Sequence, residues 1–353
     1  MNGWRWMVRI GLSLLAAWPG RGAERLLDFQ DGVEGRMPPG WESVLAGQGA
    51  APEWKLVYDA VPSAFQALSE QAPQVNRRGV LAQVSMDPTD ERFPVAWWSG
   101  ERFGDFTARL RLKLVAGKHE QLAGLVFRAT DARNFYVARA SALGNNVRFY
   151  KFVNGERSAP IGPDLPVESG RWHELTVRCE GNRIDISWNG RPAIPTLTDN
   201  SFVVGRIGVL TKSDTVAYFS DLRLEYRPLK TLADRLVEKV NREQPRLLDF
   251  RVYGRTSARP ELHVMAAKAG EVGRKAGGTE EKVWTENQAY FSKARDAAVV
   301  TAPLHDRNGE VLGVAQFVLK PYAGQMESVT IGKVLPWVRQ LENLIGGSRD
   351  LTE

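Results

Sequence analysis

"GLVFRATDARNFYVARASALGNNVRFYKFVNGER", residues 124–157, decides the fold. Apolar and polar side chains alternate from Asn134 to Ser141. That puts Phe135, Val137 and Arg139 on one side and Asn134, Tyr136 and Ala138 on the other. The alternation resumes over residues 146–153, with Val147, Phe149 and Lys151 against Asn146, Arg148, Tyr150 and Phe152. A period of two is the mark of a strand with two different faces. Asn154-Gly155 follows directly, and both residues tolerate the positive φ of a type I′ hairpin turn. Asp131 and Asn134 read as turn residues whose short side chains bond nearby backbone.

The same pattern spreads outward. "FTARLRLKLVAG", "HELTVRCE", "RIDISWNG", "GRIGVLTK" and "VAYFSDLRLEY" are short, alternating and bounded by Gly, Asn, Asp or Pro. Asn189-Gly190 supplies a second hairpin signal. So many strands over residues 26–226 predict a mainly β protein, a jelly-roll sandwich of two sheets. "VPSAFQALSEQA", residues 61–72, is the helical exception.

The chain has 353 residues and a net charge of +6, enough length for two or three domains. Arg5, Arg9 and Arg21 precede the first acid, in a segment with a short apolar run broken by Pro19 and Gly20. That is the pattern of a secretory signal peptide over residues 1–22, with Ala23 as the alternative cleavage point and an uncleaved anchor as the alternative role. The expected location is periplasmic or secreted. No other run is long and apolar enough for a membrane helix. Without its leader the chain is only mildly basic, with its charges interleaved, which argues against a nucleic-acid partner. The lone cysteine, Cys179, cannot form an internal disulfide and reads as a small strand residue. His173 lies six residues before it, roughly 20 Å along a strand, too far for a catalytic pair. Four isolated histidines give no metal-ligand spacing, and no cofactor is expected.

After Tyr226 the period changes. Leu232, Leu236, Val237 and Val240 recur at helical spacing behind Thr231, a suitable N-cap. The boundary falls near Pro228, giving a sandwich over residues 23–227 and a smaller α+β domain over 228–353. Strands are predicted at "LLDFRVYG", "ELHVMAAK", "AAVVTAPLHD" and "EVLGVAQFVLK", the last two joined at Asn308-Gly309. Helices are predicted around residues 278–289 and 325–345, the latter kinked or divided by Pro336.

Residues 124–157, with "GRWHELTVRCEGNRIDISWNGRP" and "DNSFVVGRIGVLTKSDTVAYFSDLRLEY", resemble a concanavalin A-like (laminin-G-like) domain of secreted bacterial proteins. The resemblance covers about residues 26–226. It implies the sandwich but not an activity, because that superfamily holds lectins, adhesion modules and hydrolases. A laminarinase-type site would need Glu-x-Asp-x-x-Glu on one strand, which is absent. The 3-keto-disaccharide hydrolases are nearer, but "RNFYVARA" has no carboxylate where their Gly-Tyr-Glu type strand would lie. Arginine does not readily serve as a general acid or base near neutral pH. Sugar sites of the superfamily use aromatic platforms and planar polar groups. Arg128, Tyr136, Arg148 and Tyr150 are therefore the candidate ligand residues, together with Trp98 from the adjacent pair in "AWWSGERF".

"VGRKAGGTEEKVWTENQAYFSKARDAAVVTAPLHDRNGEVLGVAQFVLKPYAG" resembles the end of an extracytoplasmic PAS-like sensor, the Cache fold, over about residues 230–350. That resemblance implies a pocket for a small metabolite or a protein contact, with His263, Tyr290 and Arg295 as candidate contacts and Asp306 shaping the final turn. The expectation is an exported, non-catalytic binding protein for a carbohydrate or other surface ligand. A glycoside hydrolase of the keto-disaccharide type and a structural or adhesion module are the alternatives. The sequence sets no oligomeric state.

Overall fold

The computed structural model describes residues 22–63, 75–256, 259–269, 271–293, 295–346 and 351–352. The expected signal segment and most of the helix expected over 61–72 lie outside them. The chain divides into two compact units, with the boundary between Leu229 and Lys230.

The first unit is made of β1 (Ala23–Leu27), β2 (Trp41–Gly47), β3 (Trp54–Pro62), β4 (Val75–Gln83), β5 (Arg92–Trp98), β6 (Phe106–Ala116), β7 (Leu122–Asp131), β8 (Asn134–Ser141), β9 (Asn146–Val153), β10 (Glu156–Arg157), β11 (Trp172–Glu180), β12 (Arg183–Trp188), β13 (Arg191–Thr198), β14 (Arg206–Thr211) and β15 (Val216–Tyr226). One sheet runs β13-β12-β11-β6-β15-β4-β3, with β1 added beside β15. The other runs β10-β9-β8-β7-β14-β5-β2. The paired strands are antiparallel throughout, as hairpin-rich chains favour. Asn154 and Gly155 take φ of 53° and 90°, and Asn189 and Gly190 take 48° and 76°, so both Asn-Gly turns have the conformation their residues favour.

The core is one continuous cluster between the sheets. Leu110, Leu112, Leu175, Val177 and Phe219 come from one sheet, and Leu125, Phe127, Tyr136, Phe149 and Val209 from the other. Burying each large apolar side chain contributes about 1.5–3 kcal/mol. Cys179 belongs to this cluster, and burial pushes its thiol up to about 12.

The second unit contains α1 (Leu232–Glu243), β16 (Asp249–Gly254), β17 (His263–Ala267), α2 (Gly278–Glu286), β18 (Tyr290–Lys293), β19 (Ala298–His305), β20 (Val311–Leu319) and α3 (Glu327–Ile345). Its sheet runs β17-β16-β20-β19-β18. Thr231 caps α1 by accepting from the Asp234 amide at 3.1 Å, while Asp234 accepts from the Thr231 amide at 2.9 Å. Helix α3 contains Pro336 and continues through it as one element rather than dividing. Val334, Val338, Leu341 and Ile345 keep one buried stripe across the proline, and that packing offsets the missing hydrogen bond. At the last hairpin only Gly309 has positive φ, and Asp306 accepts from the amides of Asn308 and Glu310.

Candidate functional site

Register sorts the opening stretch into an inner and an outer face. Strands β8 and β9 pair Arg139 with Arg148, Val137 with Tyr150 and Phe135 with Phe152. These six residues point outward. Tyr136 is paired with Lys151 and belongs to the core, opposite in direction to Arg148 and Tyr150. The expected trio of Tyr136, Arg148 and Tyr150 is therefore divided between two faces. The Tyr136 hydroxyl donates to Asp199 at 2.5 Å and accepts from the Phe202 amide at 3.0 Å. Burial, with the Asp199 carboxylate, pushes it up to about 12. Desolvation alone would raise the Asp199 carboxyl, but bonds from Lys151, Tyr136 and Ser201 outweigh it and hold the group well below its usual range. Tyr136 thus anchors the loop ahead of β14.

Of two further candidates, Arg128 is structural, while Trp98 borders a cleft beside Trp41 and keeps a buried indole N–H without a hydrogen bond. Arg128 sits at a register break in β7 with φ of 48°, and its side chain is 1% exposed. Its guanidinium donates to the carbonyls of Gly104 (2.9 and 3.1 Å), Gly181 (2.7 Å) and Phe202 (3.1 Å). It clamps three chain segments and offers no free donor fork to a sugar. Trp98 packs against the core, its ring between Gly40 and Gly100, where a Cβ would come within 2.3 and 2.7 Å of it. Trp97 is the member of the pair on the outer face. Its indole donates to Glu42 at 3.0 Å, and Arg206 stands 5.3 Å over its ring.

The outer face of the seven-stranded sheet is apolar at its centre. Val95, Val126, Phe135, Val137 and Leu210 lie on it, yet all are fully buried. Two glycines on this face lie against the backbone of the neighbouring strand. A Cβ on Gly124 would stand 2.2 Å from the Ala138 carbonyl, and one on Gly208 2.3 Å from that of Ala96. Over this floor lie aromatic rings and cations. Phe152 stacks on Phe135 and meets Phe93 edge-on. Arg139 lies 5.9 Å and Arg157 5.6 Å from the Tyr150 ring. Arg148 is half-buried and bonds the Gly162 carbonyl at 2.6 Å and Asp164 at 2.5 Å.

Two polar atoms on this face have no hydrogen bond. The Tyr150 hydroxyl and Arg139 Nε are both buried without an aligned hydrogen bond; the two side chains act on each other, and Arg139 Nη1 donates to Asn146. Burial raises the Tyr150 hydroxyl and lowers the Arg139 guanidinium from their ordinary values. A buried polar group without a partner costs about 1–3 kcal/mol. At the rim, Lys212 Nζ binds Asp90 at 2.6 Å and Glu120 at 3.0 Å, and Arg157 binds Glu91 at 3.2 Å. The Lys212 bond holds the Asp90 carboxyl low, the opposite of what a general acid needs. Arg139, Arg157 and Lys212 escaped the sequence reading. Alternation alone lacks the β8–β9 register that sets Arg139 beside Arg148.

In the second unit, His263 and Tyr290 stand on opposite edge strands, β17 and β18, so the sheet does not bring them together. His263 Nδ1 faces the Glu261 carbonyl at 2.9 Å. The Tyr290 hydroxyl bonds Glu286, which raises it from its usual value, and Arg295 is exposed. The sheet instead aligns Arg251, Gln316, Thr301 and Tyr290 in one row across β16, β20, β19 and β18. Gln316 accepts from Tyr253 at 3.2 Å and donates to the buried Glu280 at 2.5 Å. The Glu280 carboxylate also takes the Gly277 amide at the start of α2.

The first unit is thus an antiparallel β-sandwich with an aromatic and cationic outer face. No family model matches the chain. Over 122 residues it is 30% identical to levanase from Bacillus subtilis (strain 168), a stretch covering 34% of this chain. The matched stretch spans only 18% of that levanase. Similar solved structures include a carbohydrate-binding module from Bacillus subtilis, at 23% identity and TM-score 0.36, covering 49% of this chain and 94% of the module. A Bacillus subtilis protein of unknown function with a galectin-like fold follows at 14% identity and TM-score 0.33, covering 50% and 91%. No described helix is long and apolar enough to cross a membrane.

Proposed function

We propose that the sandwich binds a carbohydrate on the outer face of its seven-stranded sheet without cleaving it, as part of an exported binding protein. The Tyr150 hydroxyl and Arg139 Nε, each without an aligned hydrogen bond, carry this reading. Both atoms are covered in the unliganded chain, so a pair of sugar hydroxyls satisfies them when the flanking side chains move aside. Arg148 and Arg157 extend the row of planar donors, and the Tyr150 and Phe152 rings supply apolar walls. The stretch shared with levanase makes levan the first polysaccharide to test.

Hydrolysis is the second reading, and it has one observation in its favour: Lys212 gathers the Asp90 and Glu120 carboxylates around a single ammonium. The low Asp90 carboxyl weighs against it. The second unit, in this proposal, is a Cache-like module. Its five-stranded sheet, in the order second-first-fifth-fourth-third, suits a small α+β module, and its row of Arg251, Gln316 and Thr301, the last two buried, would take a small polar molecule.

Calorimetric titration of the full chain with levan, with laminarin as a second arm, tests that face, and product analysis of the same mixtures tests cleavage. Saturable binding that Arg148→Ala weakens about tenfold, about 1.4 kcal/mol, is the expected result. Binding unchanged by Arg148→Ala and by Tyr150→Phe would remove that face from the account. Sugar release that tracks Asp90 and Glu120 would replace the binding reading with the catalytic one.

A further inference from the structure

The opposite sheet carries a cleft, about 640 Å³ in volume, on its outer face between β1, β6, β11 and β15. Nothing in the carbohydrate reading of the seven-stranded sheet uses it. Its pairing is expensive. Arg109 stands directly opposite Arg223 on β15, and Glu24 directly opposite Glu225. Like charges facing each other across a ladder destabilise a sheet. Arg109 and Glu225 relieve part of this by pairing diagonally at 2.5 Å. That leaves Arg223 with only a long ion pair and Glu24 facing a like charge. Arg223 comes no nearer than 3.9 Å to Asp221, too long for a hydrogen bond. Among the described residues, the carboxylates of Glu24 and Glu174 have no ion-pair or hydrogen-bond partner.

A second, independent observation lies at the base of the cleft. Asp221 is 2% exposed, and its Oδ1 has no hydrogen bond. The Arg78 guanidinium lies 3.0 Å from Oδ1 but without hydrogen-bond alignment, and its bond goes to Oδ2 at 3.1 Å. Arg111 is 3.6 Å from the same carboxylate. The charges lining the cleft balance: Arg25, Arg109, Arg111 and Arg223 against Glu24, Glu174, Asp221 and Glu225. A balanced lining with idle donors and idle acceptors does not select an anion or a cation. It selects a neutral molecule whose every polar group can both donate and accept.

We propose that this cleft is a second binding site, for a neutral sugar held through vicinal hydroxyls between Asp221, Glu174 and Arg223. A volume of this size suits a mono- or disaccharide. The site goes beyond the reading of the seven-stranded sheet and shares no residue with it, so either can fail alone.

The test is a titration of the full chain, isotope-labelled for arginine Nε–Hε resonances, with sucrose and, in a separate arm, with inorganic phosphate. Sucrose is expected to shift the Arg109, Arg111 and Arg223 signals in a saturable way. Arg223→Ala and Glu174→Gln, both at surface positions, are expected to weaken that response at least tenfold, while Arg148→Ala on the seven-stranded sheet leaves it unchanged. Shifts with phosphate but not sucrose would overturn the proposal in favour of an anion site. Silence in both arms, or sucrose shifts insensitive to Arg223→Ala and Glu174→Gln, would overturn it outright.

Discussion

Arg139 and Tyr150 lie on neighbouring strands, the guanidinium 5.9 Å from the ring centre, and the Tyr150 hydroxyl and Arg139 Nε are both buried without a hydrogen bond. Tyr150→Phe deletes only the oxygen. The unliganded protein should gain about 1 kcal/mol, because an unsatisfied buried hydroxyl is removed. Levan affinity should fall about tenfold in the same variant. Opposite signs in a melting curve and a titration separate a ligand-seeking hydroxyl from a merely misplaced one. A variant that is stabilised and binds as before would refute its role.

Arg128 should behave in the contrary way. Its donors go to three main-chain segments, so Arg128→Ala leaves buried carbonyls unpaired. A loss of about 3–5 kcal/mol is expected, measured by urea unfolding of the full chain. Material that remains folded should bind sugar with unchanged affinity.

Gly124→Ala places a methyl group against the Ala138 carbonyl and the Arg139 backbone. Backbone cannot step aside as a flexible side chain can, so the strands must part. The expected cost is about 2–4 kcal/mol, read as a lower denaturation midpoint. Gly181→Ala makes a useful control for space, since nothing lies within 4 Å of its position, although its φ of 56° adds some strain.

Asp199 gives the protein an acid limb. Its carboxyl is held below the usual value of 3.8 in the folded state, so its contribution is full above about pH 4 and is lost as the pH falls further. Asp199→Asn should cost about 1–2 kcal/mol at pH 7, after allowance for its partial exposure, and progressively less below pH 4. Unfolding curves at pH 7, 5 and 3 check this. A constant difference across all three would assign the loss to packing. At the other end Tyr136, raised to about 12, keeps its proton after the unfolded chain has begun to lose it near 10, so stability should decline as the pH rises from 10 towards 12.

Much of the architecture was legible because its signals are local. Alternation and two Asn-Gly turns place β8 to β10 and β11 to β13, and the Thr231 cap starts α1. Pro336 does not divide α3, because propensity is a local quantity and the buried stripe of that helix overrides it. The site was harder to read. The strand faces of β8 and β9 were assigned correctly one at a time, but which face of one strand meets which face of the next depends on the turn at residues 142–145. That turn put Arg139, not Tyr136, beside Arg148. Arg128 misled for a related reason: its positive φ at a register break sends an apparently surface-bound arginine inward. In the second unit residue type alone points to His263, Tyr290 and Arg295, whereas the row of Arg251, Gln316, Thr301 and Tyr290 is a product of four-strand register.

Gly124 and Gly208 have one more consequence, for anyone who would change what this protein recognises. Both are positions where no side chain fits, so the centre of the sheet cannot be varied by substitution there. Variation in selectivity must come from the walls and rim. A library that randomises Arg148, Arg157 and Lys212 samples new preferences on an intact scaffold, while one that includes the two glycines spends its diversity on chains that cannot close the sheet.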